Sequence, residues 1–226
     1  VIYGHAICDV PNCQKDPDWA YAINVESLKA LCDLLPATTR LVYLSSDHVF
    51  GGDGSYSEAD TPCPISVYGQ TRVAAERYAL HRPNTLVLRA GLAIGSSLNG
   101  RTGHYDWLRY RLGKGLPITI VTDEYRSAVW ADALAQRVMA FARSDITGIR
   151  HIPATRTISR LTLARHLLHA QKLPATFATQ SRHQQPAPHL GRVELRSDYR
   201  DALSSPLPSV VDVPPVDTSC HLDEPQ

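Results

Sequence analysis

Short apolar runs and helically spaced apolar residues alternate along the chain. Residues 41–44 (LVYL) and 84–89 (NTLVLR) have the length and composition of buried parallel strands. Between residues 17 and 35 the apolar positions recur at helical spacing, and Pro17 suits a first helical turn. Pro36 ends that helix. This alternation predicts an α/β chain built on a parallel sheet.

The pattern continues to about residue 203 and then changes. Further elements are predicted as helices at 104–113 and 131–142, a strand at 116–121, and a helix capped by Ser159. From Ser204 the chain is Pro-rich and aperiodic. We therefore expect one domain over residues 1–203 and a mobile tail over residues 204–226.

Composition narrows the class of protein. The 226 residues are 43% hydrophobic and 20% charged, with a net charge of +1, as in a globular protein with a substantial core. That charge gives no reason to expect nucleic acid or an anionic membrane as partner. No apolar run is long enough to span a bilayer, and five scattered cysteines are typical of reduced thiols. We expect a cytoplasmic protein.

Residues 41–72 contain the candidate chemistry. The apolar run ends in Ser45, Ser46 and Asp47, where a strand would leave the sheet, and ligands of open α/β sheets bind at that edge. A Gly- and Pro-rich loop follows, and then Tyr68 and Arg72 stand four apart, on one face of a predicted helix. A hydroxyl that faces a tyrosine and a cation is a workable proton-transfer site.

This stretch resembles the extended short-chain dehydrogenase/reductases and, within them, the dTDP-4-dehydrorhamnose reductase family. That family has a strand ending in Ser/Thr-Asp-Tyr-Val-Phe, an acidic loop with Pro, and Val-Tyr-Gly-Lys-Thr-Lys. Here residues 46–50 read SDHVF, 58–62 read EADTP and 67–72 read VYGQTR. The resemblance implies a Rossmann-type, doubly wound parallel sheet, incomplete at the N-terminus, with a small C-terminal substrate lobe. It also implies reduction of a 4-keto sugar nucleotide with NADPH or NADH.

The family's functional positions map onto this chain one by one. The resemblance implies three catalytic residues: Tyr68 as the acid, with a pKa lowered by a nearby cation, Ser46 as the holder of the substrate carbonyl, and Arg72 as that cation. The implied cofactor contacts are His5, Ala6, Ile7, Tyr68 and Arg72, and the implied substrate contacts are Ser46, Asp47, Leu92 and Arg126. Asn24 corresponds to an asparagine that supports the catalytic groups. No metal site is expected.

Two departures from the family weaken the enzyme hypothesis. Arg72 stands where the family has lysine, and its planar guanidinium is not equivalent to an ammonium at a tight site. No Gly-x-x-Gly-x-x-Gly turn precedes Val1, and the glycines at residues 51–54 are better explained as a turn. The chain is therefore either a fragment of a longer reductase or a protein without the dinucleotide site.

Several alternatives stay open. A catalytically silent binding subunit, like the regulatory subunit of methionine adenosyltransferase, resembles the same family. His5, Cys8 and Cys13 could suggest zinc, but no second ligand pair follows. Arg109 and Arg111 could meet a diphosphate, although a solvated helix face is the more common meaning. The expected partners are a sugar nucleotide and, in a homodimer, a second copy of the chain.

Overall fold

Parallel strands and the helices between them form most of residues 1–214, the part of the chain that the computed structural model describes. The strands are β1 (Ile2–Tyr3), β2 (Leu41–Ser46), β3 (Gly54–Tyr56), β4 (Thr85–Ala90), β5 (Leu92–Ile94), β6 (Thr119–Val121), β7 (Tyr125–Trp130), β8 (Gly148–Ile152), β9 (Thr157–Ser159), β10 (Ala178–Gln180) and β11 (Val193–Leu195). The α-helices are α1 (Val10–Lys15), α2 (Pro17–Tyr21), α3 (Ser27–Leu34), α4 (Val67–Leu80), α5 (Gly103–Gly113), α6 (Ala131–Ala142) and α7 (Arg160–Ala170). Within these residues, no helix has the length and apolar character needed to cross a membrane.

The central sheet has four parallel strands in the order β1, β2, β4, β8. Strands β2 and β4 are buried on both faces, which explains why their sequences are continuous apolar runs. Helices α3 and α4 cover one face, where Leu28 and Ala75 pack against Tyr43. Helix α6 covers the other face, where Phe141 packs against Leu86. The Rossmann-type, doubly wound sheet is confirmed.

A smaller set of strands forms the C-terminal lobe. Strand β7 pairs in parallel with β5 and antiparallel with β9, while β6 pairs with β10 and β3 with β11. Helices α5 and α7 enclose its apolar core, which includes Leu108, Trp130 and Leu167. The Ser159 side chain caps α7 by accepting from the Thr162 backbone N–H at 3.0 Å, as its position predicted. Strand β7 thus contributes to two cores, because Trp130 packs in the lobe and Val129 packs in the cluster beside the central sheet.

The predicted helix over residues 17–35 is divided by one wide turn. Helices α2 and α3 flank a π-helical segment, Ala22–Glu26, which contains the fully buried Asn24. Such single π turns are rare and often occur at functional sites. Apolar spacing alone does not reveal an extra residue in a helical turn.

Residues 204–214 correct the predicted start of a mobile tail. Leu207 and Val210 are buried, and their backbone N–H groups donate to the carbonyls of Pro153 at 2.9 Å and Ala128 at 3.0 Å. A few apolar side chains anchor this segment even though it has no periodic pattern. Residues 215–226, the rest of the predicted tail, lie outside the described residues.

Candidate active site

Ser46 is the last residue of β2, at the carboxyl end of the central sheet. The chain turns there into a short 3₁₀ segment, Asp47–Val49, and the Ser46 side chain caps it by accepting from the His48 backbone N–H at 3.3 Å. The Ser46 hydroxyl also lies 3.2 Å from Asp47 Oδ1, to which it donates. The predicted hydroxyl therefore stands at the edge where ligands of such sheets bind.

Tyr68 lies in the first turn of α4, and local packing brings that turn against the end of β2. Ser66 caps the helix by accepting from the Gly69 backbone N–H at 3.1 Å. A Cβ on Gly69 would overlap the backbone oxygen of His48, so only glycine permits this approach. The rings of Tyr68 and His48 meet edge to face with centres 5.1 Å apart. The Ser46 side chain lies near the Tyr68 phenol and acts to lower its pKa.

The pKa of Tyr68 differs from the sequence expectation. Burial raises it above its usual value of 10, and this effect outweighs the lowering by the Arg72 charge and the Ser46 hydroxyl. The expected net lowering of the Tyr68 pKa is therefore wrong for the protein without ligands, because desolvation of a buried phenol disfavours its anion. Tyr68 stays protonated at neutral pH, which is the state of a proton donor.

Arg72 is 3% exposed and is held against β2. Its Nη2 donates to the Leu44 backbone carbonyl, and the guanidinium lies 4.8 Å from the centre of the Tyr43 ring and 5.9 Å from that of Tyr68. Its Nε and Nη1 have no hydrogen-bond partner in residues 1–214, and no carboxylate there forms an ion pair with it. The site thus contains a buried cation with two unused donors.

Asp47 and Arg126 come together, but their charged groups bind each other. Arg126 Nε donates to Asp47 Oδ2 at 2.5 Å, and Nη2 donates to Oδ1. Asp47 is 0% exposed and Arg126 is 4% exposed. Asp47 also accepts from the Ser46 hydroxyl, yet neither Asp47 nor Arg126 presents a free charge for a substrate. The substrate contact expected of Arg126 would require this ion pair to open.

The ion pair belongs to a larger charged network that sequence reasoning missed. Arg126 Nη1 also lies 3.2 Å from Glu124 Oε1, and the other Glu124 oxygen accepts from His189 Nδ1 at 2.7 Å. Burial raises the pKa of Glu124, but its bond to His189 and the charges of Arg160 and Arg126 together lower it well below its usual range. The acidic Asp123-Glu124 pair was the only sequence signal.

A cavity of about 260 Å³ lies between α5 and α7. Apolar side chains form most of its lining, and His104 and Arg160 are its two basic residues. The Arg160 side chain contacts His104 Nε2, and its backbone N–H donates to the Glu124 carbonyl at 2.9 Å. Burial first, and the Arg160 charge second, lower the pKa of His104 to about 3. The hydrogen bond from the Arg160 backbone N–H to the Glu124 carbonyl therefore connects this cavity to the charged network.

The predicted cofactor loop, His5–Ile7, follows β1 and is tied to the helices by one side chain. Asn24 accepts from the Ile7 backbone N–H at 2.7 Å and donates to the Ile7 carbonyl at 3.1 Å and to Thr71 Oγ1 at 3.0 Å. His5 is exposed and Ala6 is half-buried. Asn24 thus bridges this loop and α4.

The other candidate residues, Leu92, the N-terminal cysteines and the α5 arginines, lie in different parts of the fold. Leu92 is half-buried in β5 and packs on the core of the lobe. Cys13 is buried, and its thiol donates to the Ile7 carbonyl at 3.7 Å, while Cys8 is exposed. In the described part of the chain no three His, Cys, Asp or Glu side chains form a group suited to a metal ion. Arg109 pairs with Asp106 at 2.8 Å, and Arg111 donates to the Pro117 carbonyl.

A second buried ion pair fixes α4 on the sheet behind the site. Arg89 Nη2 lies 2.7 Å from Glu76 Oε2, and the Ser45 hydroxyl donates to Glu76 Oε1 at 2.5 Å. His151 continues this chain of contacts, with Nε2 3.4 Å from Arg89 Nη1 and Nδ1 3.0 Å from the Arg196 carbonyl. Burial, followed by the Arg89 charge, lowers the pKa of His151 to about 4 against the opposing effect of Glu58.

Comparison with known proteins identifies the family of this chain. Residues 1–194 match the model of the RmlD substrate binding domain. The chain belongs to the RmlD substrate binding domain family. A Streptomyces antibioticus relative, a probable dTDP-4,6-dihydroxy-2-methyloxan-3-one 4-ketoreductase, is 30% identical over 226 residues, covering 89% of this chain and 75% of the relative. A probable low-salt glycan biosynthesis reductase of Haloferax volcanii is 27% identical over 70% of this chain but only 55% of its own length.

Solved structures of the RmlD family have the same fold. The dTDP-4-dehydrorhamnose reductase of Yersinia enterocolitica superposes with a TM-score of 0.75 at 26% identity, covering 93% of this chain and 77% of that one. The enzyme of that name from Bacillus anthracis, solved in complex with NADP, gives 0.76 at 22% identity, covering 92% and 76%. The extended short-chain reductase resemblance is confirmed, and the chain spans about half the length of several curated relatives.

Proposed function

We propose that this chain carries the sugar-nucleotide site of an NAD(P)H-dependent reductase that acts on a 4-keto sugar nucleotide. The approach of Ser46 and Tyr68 at the carboxyl end of β2, where both contact His48, is the observation that carries this proposal. Family membership supports it, and the relatives named above are reductases.

The surroundings of Arg72 fit one part of a bound dinucleotide, the nicotinamide ribose. The unused Nε and Nη1 donors of Arg72 are buried near Tyr68, and the hydroxyls of a nicotinamide ribose would supply acceptors for them. The Asn24-anchored loop at Ile7 would border the same space. When bound, NAD(P)H supplies the hydride. No Gly-rich turn for its pyrophosphate occurs between Val1 and Gln226.

The protein's own part in the reaction is to hold the carbonyl oxygen and protonate it. The Ser46 hydroxyl would donate to that oxygen and fix its position. As hydride reaches the carbonyl carbon, the Tyr68 hydroxyl would transfer its proton to the oxygen, giving an alcohol and a tyrosinate. Arg72 would stabilise the tyrosinate through its charge, but a guanidinium stays protonated and so does not relay the replacement proton.

We further propose that Arg160 and His104 contact the substrate diphosphate. The charge of Arg126 is already matched by Asp47 and Glu124, whereas Arg160 lines the cavity and forms no ion pair within 4.0 Å among residues 1–214. The apolar lining of the same cavity suits a nucleoside.

The test is to mix the chain with NADPH and dTDP-4-dehydro-L-rhamnose and follow NADPH absorbance, with binding measured separately by calorimetry. We expect oxidation that requires both ligands. Binding of dTDP-L-rhamnose without any oxidation would instead favour the silent binding subunit, for which the engagement of Arg72 by the Leu44 carbonyl is the supporting observation. Absence of binding and of oxidation would contradict both functions. The coding sequence upstream of Val1 should be read for a Gly-rich turn, whose presence would favour the enzyme.

A further inference from the structure

His48 is a buried side chain beside Tyr68, and its two ring nitrogens have different surroundings. The residue is 8% exposed, and its Nε2 lies 3.1 Å from Arg126 Nη1. On the other side of the site its ring meets that of Tyr68 at 73°, and its backbone N–H donates to Ser46 Oγ. His48 therefore touches Ser46 and Tyr68, two of the three residues that the proposed reaction uses.

The Arg126 contact fixes which nitrogen of His48 carries the proton. A guanidinium has only donors, so Nε2 must be the accepting nitrogen, and the proton of the neutral ring lies on Nδ1. Burial first, and then the charges of Arg126, Arg160 and His189, hold the pKa of His48 well below its usual 6.5, with only Glu124 acting in the opposite direction. The ring is thus neutral at pH 7, with Nδ1–H as a donor.

That donor has no acceptor. Nδ1 is buried and makes no hydrogen bond within residues 1–214. Buried donors are nearly always paired, so an unpaired one beside Ser46 and Tyr68 points to an acceptor that a ligand brings. The neighbouring Asp47 carboxylate accepts from Arg126 and from the Ser46 hydroxyl, and it makes no hydrogen bond with His48 Nδ1.

We propose that the His48 Nδ1–H group donates a hydrogen bond to an oxygen of the substrate's sugar ring, and that His48 thereby determines which sugar is accepted between Ser46 and Tyr68. This inference rests on the proposed function. It adds a specificity-determining residue whose proton position is set by Arg126.

Two amide substitutions separate this role from a structural one. The side-chain amide nitrogen that His48→Asn introduces would lie near the position of Nδ1, whereas the one that His48→Gln introduces would reach the position of Nε2. We expect His48→Gln to weaken dTDP-L-rhamnose binding about tenfold, the effect of one lost hydrogen bond, and to leave dTDP binding unchanged. His48→Asn should bind both ligands within about threefold of the wild type. Calorimetry with dTDP-L-rhamnose and with dTDP alone measures both.

Each other result overturns the proposal. If His48→Asn weakens sugar-nucleotide binding more than His48→Gln does, the contact to Arg126 matters and the free donor does not. Equal loss for dTDP and dTDP-L-rhamnose would mean general damage to the site. A wild-type chain that binds neither ligand would overturn the proposed function as well. Long-range ¹H–¹⁵N spectra of the wild type give a test that needs no variant: a proton on Nε2 of His48 would overturn the assignment.

Discussion

The guanidinium of Arg126 binds the carboxylate of Asp47, although the two residues stand 79 positions apart in the chain. This contact joins the start of β7 to the end of β2, next to Ser46. The C-terminal lobe is therefore fixed to the central sheet at the candidate site itself. Any loss of this pair would alter the stability of the domain and the position of Ser46 together.

Asp47→Ala should destabilise the protein by about 3–5 kcal/mol, because it leaves the Arg126 charge buried without its main partner. Replacing both residues, as in Asp47→Ala with Arg126→Met, should recover part of this loss. Urea unfolding at pH 7 measures the free energies. The exposed Asp145→Ala is the matched control and should change the unfolding free energy by less than about 0.5 kcal/mol. A single Asp47→Ala variant as stable as this control would show that the ion pair contributes nothing.

Tyr68→Phe should lower NADPH oxidation by about 10²–10⁴-fold, since it removes the proposed proton donor. Tyr43→Phe provides the control: it also removes a buried tyrosine hydroxyl near Arg72, but one without a hydrogen-bond partner in the described residues. Its activity should stay within about twofold of the wild type. Steady-state rates of NADPH oxidation at saturating substrate distinguish the two variants. Equal losses of rate in both would contradict the role of Tyr68 as proton donor.

Arg72→Lys should raise NADPH oxidation by about tenfold, because an ammonium restores the compact charge that the family places beside the tyrosine. The same change should cost about 1 kcal/mol of stability, since lysine does not reproduce the flat contact with Tyr43. Rate and urea unfolding are measured on the same preparations. A stable Arg72→Lys variant without any gain in rate would count against the hypothesis that Arg72 impairs the proton relay to Tyr68.

The predictable and unpredictable parts of the site have different physical origins. Ser46, Tyr68 and Arg72 could be assigned because they lie in one strand–loop–helix stretch, where spacing fixes direction. The pairing of Arg126 with Asp47 depends on tertiary packing, which leaves no local pattern. The net pKa shift of Tyr68 also escaped prediction, because burial is a property of the folded chain.

Acidification should destabilise the fold through His151. The folded-state pKa of His151 is about 4, below the usual 6.5, so between these values the unfolded chain takes up a proton that the folded chain resists. Stability contributed by neutral His151 is thus complete above pH 6.5 and is lost as the pH falls toward 4. Urea unfolding at pH 7 and pH 5 should show a smaller decrease for His151→Gln than for the wild type. Identical decreases would exclude His151 as a source of the pH dependence.

His104 and Arg160 are the basic residues of the cavity between α5 and α7. Arg160→Leu should weaken dTDP binding at least tenfold, because it removes the cation proposed to contact the diphosphate. Arg165→Leu on the same helix is the control, since Arg165 is exposed and does not line the cavity. Calorimetric titration with dTDP at two salt concentrations compares the affinities of the two variants. The difference in affinity should shrink at high salt only if the contact between Arg160 and the diphosphate is exposed to solvent. Because Arg160 contacts His104 and its backbone bonds Glu124, thermal unfolding of each variant must be recorded as well. A folded Arg160→Leu variant that binds dTDP as tightly as the Arg165→Leu control would place the diphosphate elsewhere, and the Arg126 ion pair would then become the next candidate to open for it.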